Sequence, residues 1–288
     1  MTTILDGKQT AATIRAEVRE EVAALQAEHG RAPGLAVILV GEDPASQVYV
    51  RNKERACAEA GVVSMPHKLA ADTDQPTLEQ LIRDLNADPA VDGILLQLPL
   101  PKGLDSQKLL DMIDPDKDVD GFHPVSVGRL ALGLPGFRSC TPAGVMELLS
   151  RYDIDPAGKK AVIVGRSNIV GKPLALLLMQ GWKGGNATVE VCHTRTPDLK
   201  KECLDADIVI AAVGVPGLVT GEMIRPGAVV VDVGINRTDE GLRGDVDFAS
   251  AREKASAITP VPGGVGPMTI AMLLKNTIQA FKLHQGID

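Results

Sequence analysis

Val162-Ile163-Val164-Gly165-Arg166-Ser167-Asn168-Ile169-Val170-Gly171-Lys172-Pro173-Leu174 decides the fold, because an apolar strand runs into a tight glycine turn and straight on into an apolar helix. A helix N-terminus presents unpaired backbone N–H groups and the positive end of the helix dipole, and glycine lets the backbone approach a pyrophosphate without a Cβ clash. The segment reads as a dinucleotide phosphate turn. Its spelling departs from G-x-G-x-x-G, since Ser167 and Val170 stand at the second and third glycine positions and Gly171 falls one residue late. On its own the pattern fits either a phosphate cradle or a structural strand–turn–helix.

Working outward, strand and helix signals alternate. Residues 35–40, 91–98, 161–164, 187–192, 207–213 and 228–233 read as short buried strands rich in β-branched residues, with amphipathic helical stretches between them. Continuous apolar strands separated by helices imply an α/β protein, with mostly parallel sheets covered on both faces and right-handed crossovers. A zone near residues 114–140, dense in Asp, Gly and Pro, separates two α/β units. The expected domains are therefore 1–140 and 141–266. A last helix from Pro267 to about 284 is expected to pack back on the first.

Composition narrows the function. The chain has 288 residues, 44% of them hydrophobic, but only one tryptophan, two tyrosines and four phenylalanines, so the cores must be built from Ala, Val, Leu and Ile. The formal net charge is −7, with Lys and Arg scattered, which argues against nucleic acid as a partner. Cys57, Cys140, Cys192 and Cys203 show no C-x-x-C spacing, so neither zinc nor disulfides are indicated and no metal is expected. The N-terminal Met1-Thr2-Thr3-Ile4-Leu5-Asp6-Gly7 lacks a signal sequence and no apolar run reaches membrane-spanning length, so the expectation is a cytoplasmic protein without a membrane partner.

The strand before the second helix of a dinucleotide fold helps to choose the cofactor, because a carboxylate at its tip accepts from a ribose 2′-OH and repels a 2′-phosphate. Here the tip reads Val191-Cys192-His193-Thr194-Arg195 and holds no acid. Arg166 and Arg195 offer cationic forks and Thr194 a hydroxyl, which suits a phosphate dianion and predicts NADP over NAD. The alternative is that both arginines are ordinary surface charges.

The first half carries a second constellation. Asp43-Pro44 is a helix start and Gly61 a stop, and the helix between them lines up Ala45, Tyr49, Lys53, Ala56, Cys57 and Ala60 at helical spacing. Lys53 is then either partly desolvated, and usable as a proton donor and acceptor, or snorkelling with its ammonium in water. Gln97, at the carboxyl end of a buried strand just before Pro99 and Pro101, can point into a cleft. In Lys117-Asp118-Val119-Asp120-Gly121-Phe122-His123-Pro124, glycine and proline make a rigid loop that aims Asp120 or closes it into an Asx turn.

Taken together, Tyr49-Val-x-x-Lys53, Leu95-Leu96-Gln97-Leu98-Pro99-Leu100-Pro101, Lys117 to Pro124, Gly165-Arg166-Ser167-x-Ile169-Val170-Gly171-x-Pro173, Asp232-Val233-Gly234-Ile235-Asn236 and Thr259-Pro260-Val261-Pro262-Gly263-Gly264-Val265-Gly266-Pro267-Met268-Thr269 resemble the bifunctional methylenetetrahydrofolate dehydrogenase/cyclohydrolase family. The motifs are long, in order and span nearly the whole chain. The resemblance implies an N-terminal catalytic domain and a Rossmann-like NADP domain with a cleft between them. It also implies oxidation of 5,10-methylenetetrahydrofolate by NADP, hydrolysis of the methenyl product to 10-formyltetrahydrofolate, and a homodimer. Carried onto this chain, Tyr49 would stack on the folate rings and Lys53 would be the catalytic lysine. Gln97 would hold Lys53, Asp120 would pair with the pterin edge, and Leu98, Pro262, Gly263, Gly264 and Thr269 would line the substrate. Gly165, Arg166, Ser167, Gly171, Thr194, Arg195 and Ile235 would meet NADP. A structural role for the 262–270 loop stays open.

Three places depart from the family pattern: Ser139 stands where proline is usual, Ser126 where asparagine is common, and Trp182-Lys183-Gly184-Gly185-Asn186 is a slightly long connection. Two other functions compete. A dehydrogenase for another small substrate would need a His/Asp or Arg pair for a carboxylate, and His123 and His193 lie in motifs with other readings. A non-catalytic dinucleotide sensor would have no use for Lys53, Gln97 and Asp120 together.

Overall fold

The computed structural model describes residues 1–239 and 241–287. Its strands in chain order are β1 (Thr3–Ile4), β2 (Gly34–Val40), β3 (Val63–Leu69), β4 (Gly93–Leu96), β5 (Lys160–Val164), β6 (Thr188–Cys192), β7 (Ile208–Ala211), β8 (Val229–Asp232), β9 (Asn236–Thr238), β10 (Gly241–Arg243) and β11 (Ala257–Ile258). The α-helices are α1 (Gly7–His29), α2 (Pro44–Ala60), α3 (Gln75–Ala87), α4 (Ser106–Asp111), α5 (Pro124–Ala131), α6 (Cys140–Arg151), α7 (Gly171–Met179), α8 (Leu199–Leu204), α9 (Phe248–Arg252) and α10 (Val265–Gln285). No helix among the described residues is long and apolar enough to cross a membrane.

Two compact units emerge. One comprises Met1–Ala11 and Thr141–Thr269, the other Ala12–Cys140 and Ile270–Asp288. The first is built on a six-stranded sheet of order β1-β11-β8-β7-β5-β6, parallel throughout. The second has a three-stranded parallel sheet of order β3-β2-β4. The N-terminus departs from the 1–140 boundary: Thr3 and Ile4 pair with Ala257 and Ile258, which adds β1 to the six-stranded sheet. α10 begins at Val265, two residues before Pro267, which sits harmlessly in a first turn whose N–H groups have no intrahelical acceptor. Helix α5 lies inside the 114–140 zone dense in Asp, Gly and Pro.

β2 and β4 read as continuous apolar runs because both are buried on both faces. β3 escapes that pattern. It is one of the two edge strands, has exposed and half-buried but no buried positions, and tolerates Pro66 because an edge leaves one side of the ladder unpaired. In the six-stranded unit, Val162, Val164, Val209, Ala211, Val230 and Ile258 form the centre of the core; in the other, Ala36, Ile38, Ile82, Ile94 and Leu96 do.

The latter part of α10 belongs to the three-stranded unit. Phe281 is fully buried, meets His29 edge-on with centroids 5.8 Å apart, and lies beneath the Arg31 guanidinium at 4.6 Å. Arg31 in turn makes a two-pronged pair of 2.6 and 2.8 Å with the fully buried Asp92. Phe281→Ala should therefore lower stability by about 3–5 kcal/mol, through lost burial and an unfilled cavity, as read by urea unfolding.

Candidate active site

In an open parallel sheet, ligands bind beyond the carboxyl ends of the strands where the strand order reverses. In the three-stranded unit the chain lays β3 on one side of β2 and β4 on the other, so that point lies at the ends of β2 and β4. Gln97 follows β4 directly and its N–H still bonds to Ile38 O at 2.9 Å, so the expected strand 91–98 ends at Leu96 with Gln97 just beyond it.

α2 brings its lysine to the same place. Asp43 Oδ2 accepts the Ser46 N–H at 2.7 Å, Pro44 opens the helix, and Gly61 closes it at φ +79°. Lys53 is 8% exposed and its Nζ donates to Gln97 Oε1 at 3.0 Å, which rules out the snorkelling alternative. Gln97 Nε2 donates to Leu98 O at 2.7 Å, so the amide is held with its oxygen toward the lysine. The inner face of α2 is Ser46, Val50, Lys53, Ala56, Cys57 and Ala60. Tyr49, expected on that stripe, is 37% exposed. Its ring lies one helical turn before Lys53, at the edge of the buried face.

Asp120 joins this group through its loop. Lys117 Nζ donates to Leu85 O and Asp88 O at 3.0 and 2.8 Å, anchoring the loop on the end of α3, and Ile94 N–H donates to Lys117 O. The Asx-type role belongs to Asp118, not Asp120: its carboxylate accepts from Phe122 N, His123 N and Ser126 Oγ at 3.1, 2.8 and 2.7 Å. Asn276 Nδ2, from α10, donates to Val119 O and Arg138 O. Desolvation pushes the Asp120 carboxyl up, opposed by the charge of Lys53. The sequence reading missed Asp118, Ser126 and Asn276 as supports. Only Asn276 left a trace, as an amide on the buried face of α10 beside Leu273 and Thr277.

The second set lies in the six-stranded unit, where β6 and β7 flank β5 and the reversal falls at the end of β5. Gly165 sits there at φ +123°, and a Cβ on it would fall 2.2 Å from Ala212 O. A Cβ on Gly171 would fall 2.2 Å from Gly165 O, so both glycines are required by the closeness of the turn. Ser167 Oγ accepts from Val170 N and Gly171 N at 3.1 and 3.4 Å, bracing the turn into α7 from the position where a standard fingerprint has glycine. Gly165 N–H bonds to Cys192 O, which sets this turn beside the one holding His193, Thr194 and Arg195. Arg166, Thr194 and Arg195 are all exposed, and no acid stands among them.

Ile235 is 42% exposed, beyond the end of β8. In the same unit a Cβ on Gly266 would meet Ile235 Cδ1 at 3.3 Å. Gly263 O accepts the Lys8 N–H at 2.8 Å, and Gly7 is so close to Gly264 that a Cβ would fall 1.8 Å from its carbonyl oxygen. Pro262 is exposed and Thr269 Oγ1 lies 2.9 Å from Thr141 Oγ1. The structure thus sorts the expected residues into Tyr49, Lys53, Gln97, Leu98 and Asp120 in one unit and the remainder in the other.

Residues 5–120 match the family described as tetrahydrofolate dehydrogenase/cyclohydrolase, catalytic domain, and residues 139–285 match its NAD(P)-binding domain. The chain belongs to the tetrahydrofolate dehydrogenase/cyclohydrolase family. It is 66% identical to the bifunctional protein FolD of Maridesulfovibrio salexigens, over 98% of this chain and 99% of that one. The crystal structure of the bifunctional FolD from Campylobacter jejuni is 50% identical, with a TM-score of 0.95, over 98% of this chain and 99% of that one. The Trypanosoma brucei dehydrogenase-cyclohydrolase, solved with NADP and an inhibitor, is 42% identical with a TM-score of 0.92, over 98% of both chains.

Within this family member, Asp118 supplies a pH signature. Burial, the dominant cause, pushes its carboxyl from 3.8 up to about 6, although Ser126 and two backbone N–H groups favour the charged form. Between those two values the folded chain binds a proton that the unfolded chain does not, so wild-type stability rises as pH falls through about 6 and Asp118→Asn loses that rise. The difference in unfolding free energy between the two should move in favour of wild type by up to about 1.4 kcal/mol per pH unit from pH 6 toward 4. Urea titrations at a series of pH values check this, and parallel profiles would contradict it.

Proposed function

We infer that the chain is a bifunctional enzyme that oxidises 5,10-methylenetetrahydrofolate with NADP and hydrolyses the 5,10-methenyl product to 10-formyltetrahydrofolate. The observation that carries the reading is the buried Lys53–Gln97 pair beside Asp120 in a chain that matches both family domains. Hydrolysis of an amidinium-like cation requires water to add, a proton to leave the new hydroxyl, and a ring nitrogen to leave protonated. Lys53 Nζ, aimed by Gln97, is the group that moves the proton between oxygen and nitrogen. The overall reaction consumes one water and releases one proton.

Asp120 accepts two N–H bonds from the guanidine-like edge of the pterin, a paired geometry that orients the ring system. Tyr49, with its exposed ring, stacks on that flat system, and Leu98 continues the wall after Gln97. Pro262, Gly263, Gly264 and Thr269 form the remaining substrate loop, with Gly263 and Gly264 braced on the start of α1.

NADP fits the second set of residues. The tight turn that Gly165 and Gly171 permit leads straight into the N-terminus of α7, whose backbone N–H groups suit a pyrophosphate, Ser167, Gly171 and Ile235 border it, and Arg166, Thr194 and Arg195 stand ready for a 2′-phosphate. When bound, NADP supplies the hydride acceptor for the oxidation. A cytoplasmic homodimer completes the reading, on the strength of the family resemblance.

A paired assay tests the enzyme. Wild type should form NADPH from methylenetetrahydrofolate and hydrolyse the methenyl compound, whereas Lys53→Met should lose hydrolysis by at least about a hundredfold, within the range that positioned proton transfer supplies. No turnover by wild type with either dinucleotide would sink the proposal. Arg166→Ala and Arg195→Ala should each raise the KM for NADP by roughly tenfold to a hundredfold, the loss of one charge-assisted bond, while leaving the KM for NAD nearly unchanged. Unchanged NADP kinetics in both variants would make them ordinary surface charges.

A further inference from the structure

Asp232 and Asp245 are buried carboxylates to which neither step of the chemistry assigns a task. Asp232, 3% exposed at the end of β8, accepts from Gly234 N, Asp245 N and Val246 N, each at 2.9 Å. Asp245, with no exposed surface, accepts from Val213 N and Gly214 N at 2.6 and 2.9 Å through Oδ2, and from Asn236 Nδ2 at 2.8 Å through Oδ1. The two aspartates therefore form a relay. Asp232 fixes the segment that carries Asp245, and Asp245 joins the loop after β7 to the loop after β8.

Both loops border the proposed dinucleotide site. The β7 loop abuts the phosphate turn, since a Cβ on Gly165 would lie 2.2 Å from Ala212 O and 3.4 Å from Val213 Cγ1. The β8 loop carries Ile235 immediately before Asn236. The packing leaves no slack: a Cβ on Gly234 would fall 2.3 Å from Asp245 Cγ and Oδ1, and one on Gly244 would fall 1.8 Å from Asp232 Oδ2. Two glycines are thus demanded by the carboxylates themselves. A loop at a strand end has exhausted its ladder partners, so its N–H groups need an acceptor from elsewhere, and here one side chain serves both loops.

We propose that Asp245 is a positioning residue for dinucleotide binding, acting through the Val213–Gly214 and Ile235–Asn236 loops and leaving the hydrolytic machinery of Lys53 untouched. This rests on the NADP reading above. The bifunctional chemistry provides an internal control, because hydrolysis of preformed methenyltetrahydrofolate can be assayed with no dinucleotide present.

The test compares Asp245→Ala and Asp245→Asn for NADP KM, dehydrogenase kcat, dinucleotide-free hydrolysis and melting temperature. The alanine variant should raise the NADP KM at least tenfold while hydrolysis stays within twofold of wild type. The asparagine variant keeps a carbonyl oxygen for Val213 and Gly214 and meets Asn236 through a flipped amide, so it should stay within about threefold on both. An unchanged NADP KM in the alanine variant overturns the proposal, as does a parallel fall of both activities or an asparagine variant as impaired as alanine. If the alanine variant does not fold, Asn236→Ala decides: a several-fold rise in NADP KM with normal hydrolysis supports the proposal and an unchanged KM overturns it. A wild type that hydrolyses but does not reduce NADP would instead defeat the underlying NADP reading.

Discussion

The bond from a backbone N–H to a buried aspartate is the interaction on which both sites depend. At the carboxyl end of a parallel strand the ladder stops and the chain must turn, yet its N–H groups remain inside the protein and an unpaired one costs free energy. Asp232 and Asp245 meet that need after β7 and β8 with three donors apiece; Asp118 does so for the turn between α4 and α5, also with three, and Asp92 for Gly34 N at the start of β2 while also pairing with Arg31 and His284. A buried carboxylate is costly unless it is hydrogen-bonded. Burial wins at Asp118 and Asp232, pushing each up to about 6 in spite of the donors. The same cost gives the loops one geometry, because any rearrangement would strip a buried carboxylate of its partners.

That rigidity matters because most of the side chains proposed to act are on or beside loops. Lys53 comes from a helix and is precise by construction, but Gln97, Ile235 and the 262–264 segment follow the ends of strands, and Asp120 lies in the loop between α4 and α5. Each is tied to something that cannot slide. Gln97 is held through its N–H on Ile38 O, Asp120 through Asp118 and Asn276, Ile235 through Asp232 and Gly266, and Gly263–Gly264 through Gly7 and Lys8. Site geometry is then a property of the sheet ends, with the reversals of strand order at β2 and β5 leaving space beyond them.

Much of this was legible in the residues. The caps of α2, the β5–turn–α7 unit and the position of Gln97 all follow from local rules about Pro, Gly and apolar runs, and the structure places each within a residue or two. What escaped was decided by distant partners. β3 looks like no strand because an edge needs neither continuous burial nor freedom from proline. β1 and β11 are two residues each, too short for any period to show, and nothing local states that Thr3 will pair with Ala257. Tyr49 fits the helical stripe by spacing, but the stripe's true centre is set by what α2 packs on, which brings Ser46 and Val50 inward instead. In Lys117-Asp118-Val119-Asp120 two identical side chains look equivalent, and only the three-dimensional turn distinguishes the one that accepts backbone N–H groups from the one left facing Lys53.

Two departures from the family pattern make the same point from the other side. Ser126 is buried and donates the shortest of the three bonds to Asp118, at 2.7 Å, so a small hydroxyl supplies there the donor that an asparagine amide would otherwise offer. Ser139 is also buried and donates to Gly121 O at 3.0 Å, bridging the far side of the same loop; Gly121 itself is at φ +71°, and a Cβ on it would fall 2.5 Å from Ser139 N. Where proline would stiffen the backbone by fixing φ, serine stiffens it by a side-chain bond. The loop around Asp120 is therefore constrained by geometry that several residue types can satisfy, whereas the roles proposed for Asp120, Lys53 and Gln97 would constrain them by chemistry. Departures gather among the supports because a support has only to provide a donor in the right place.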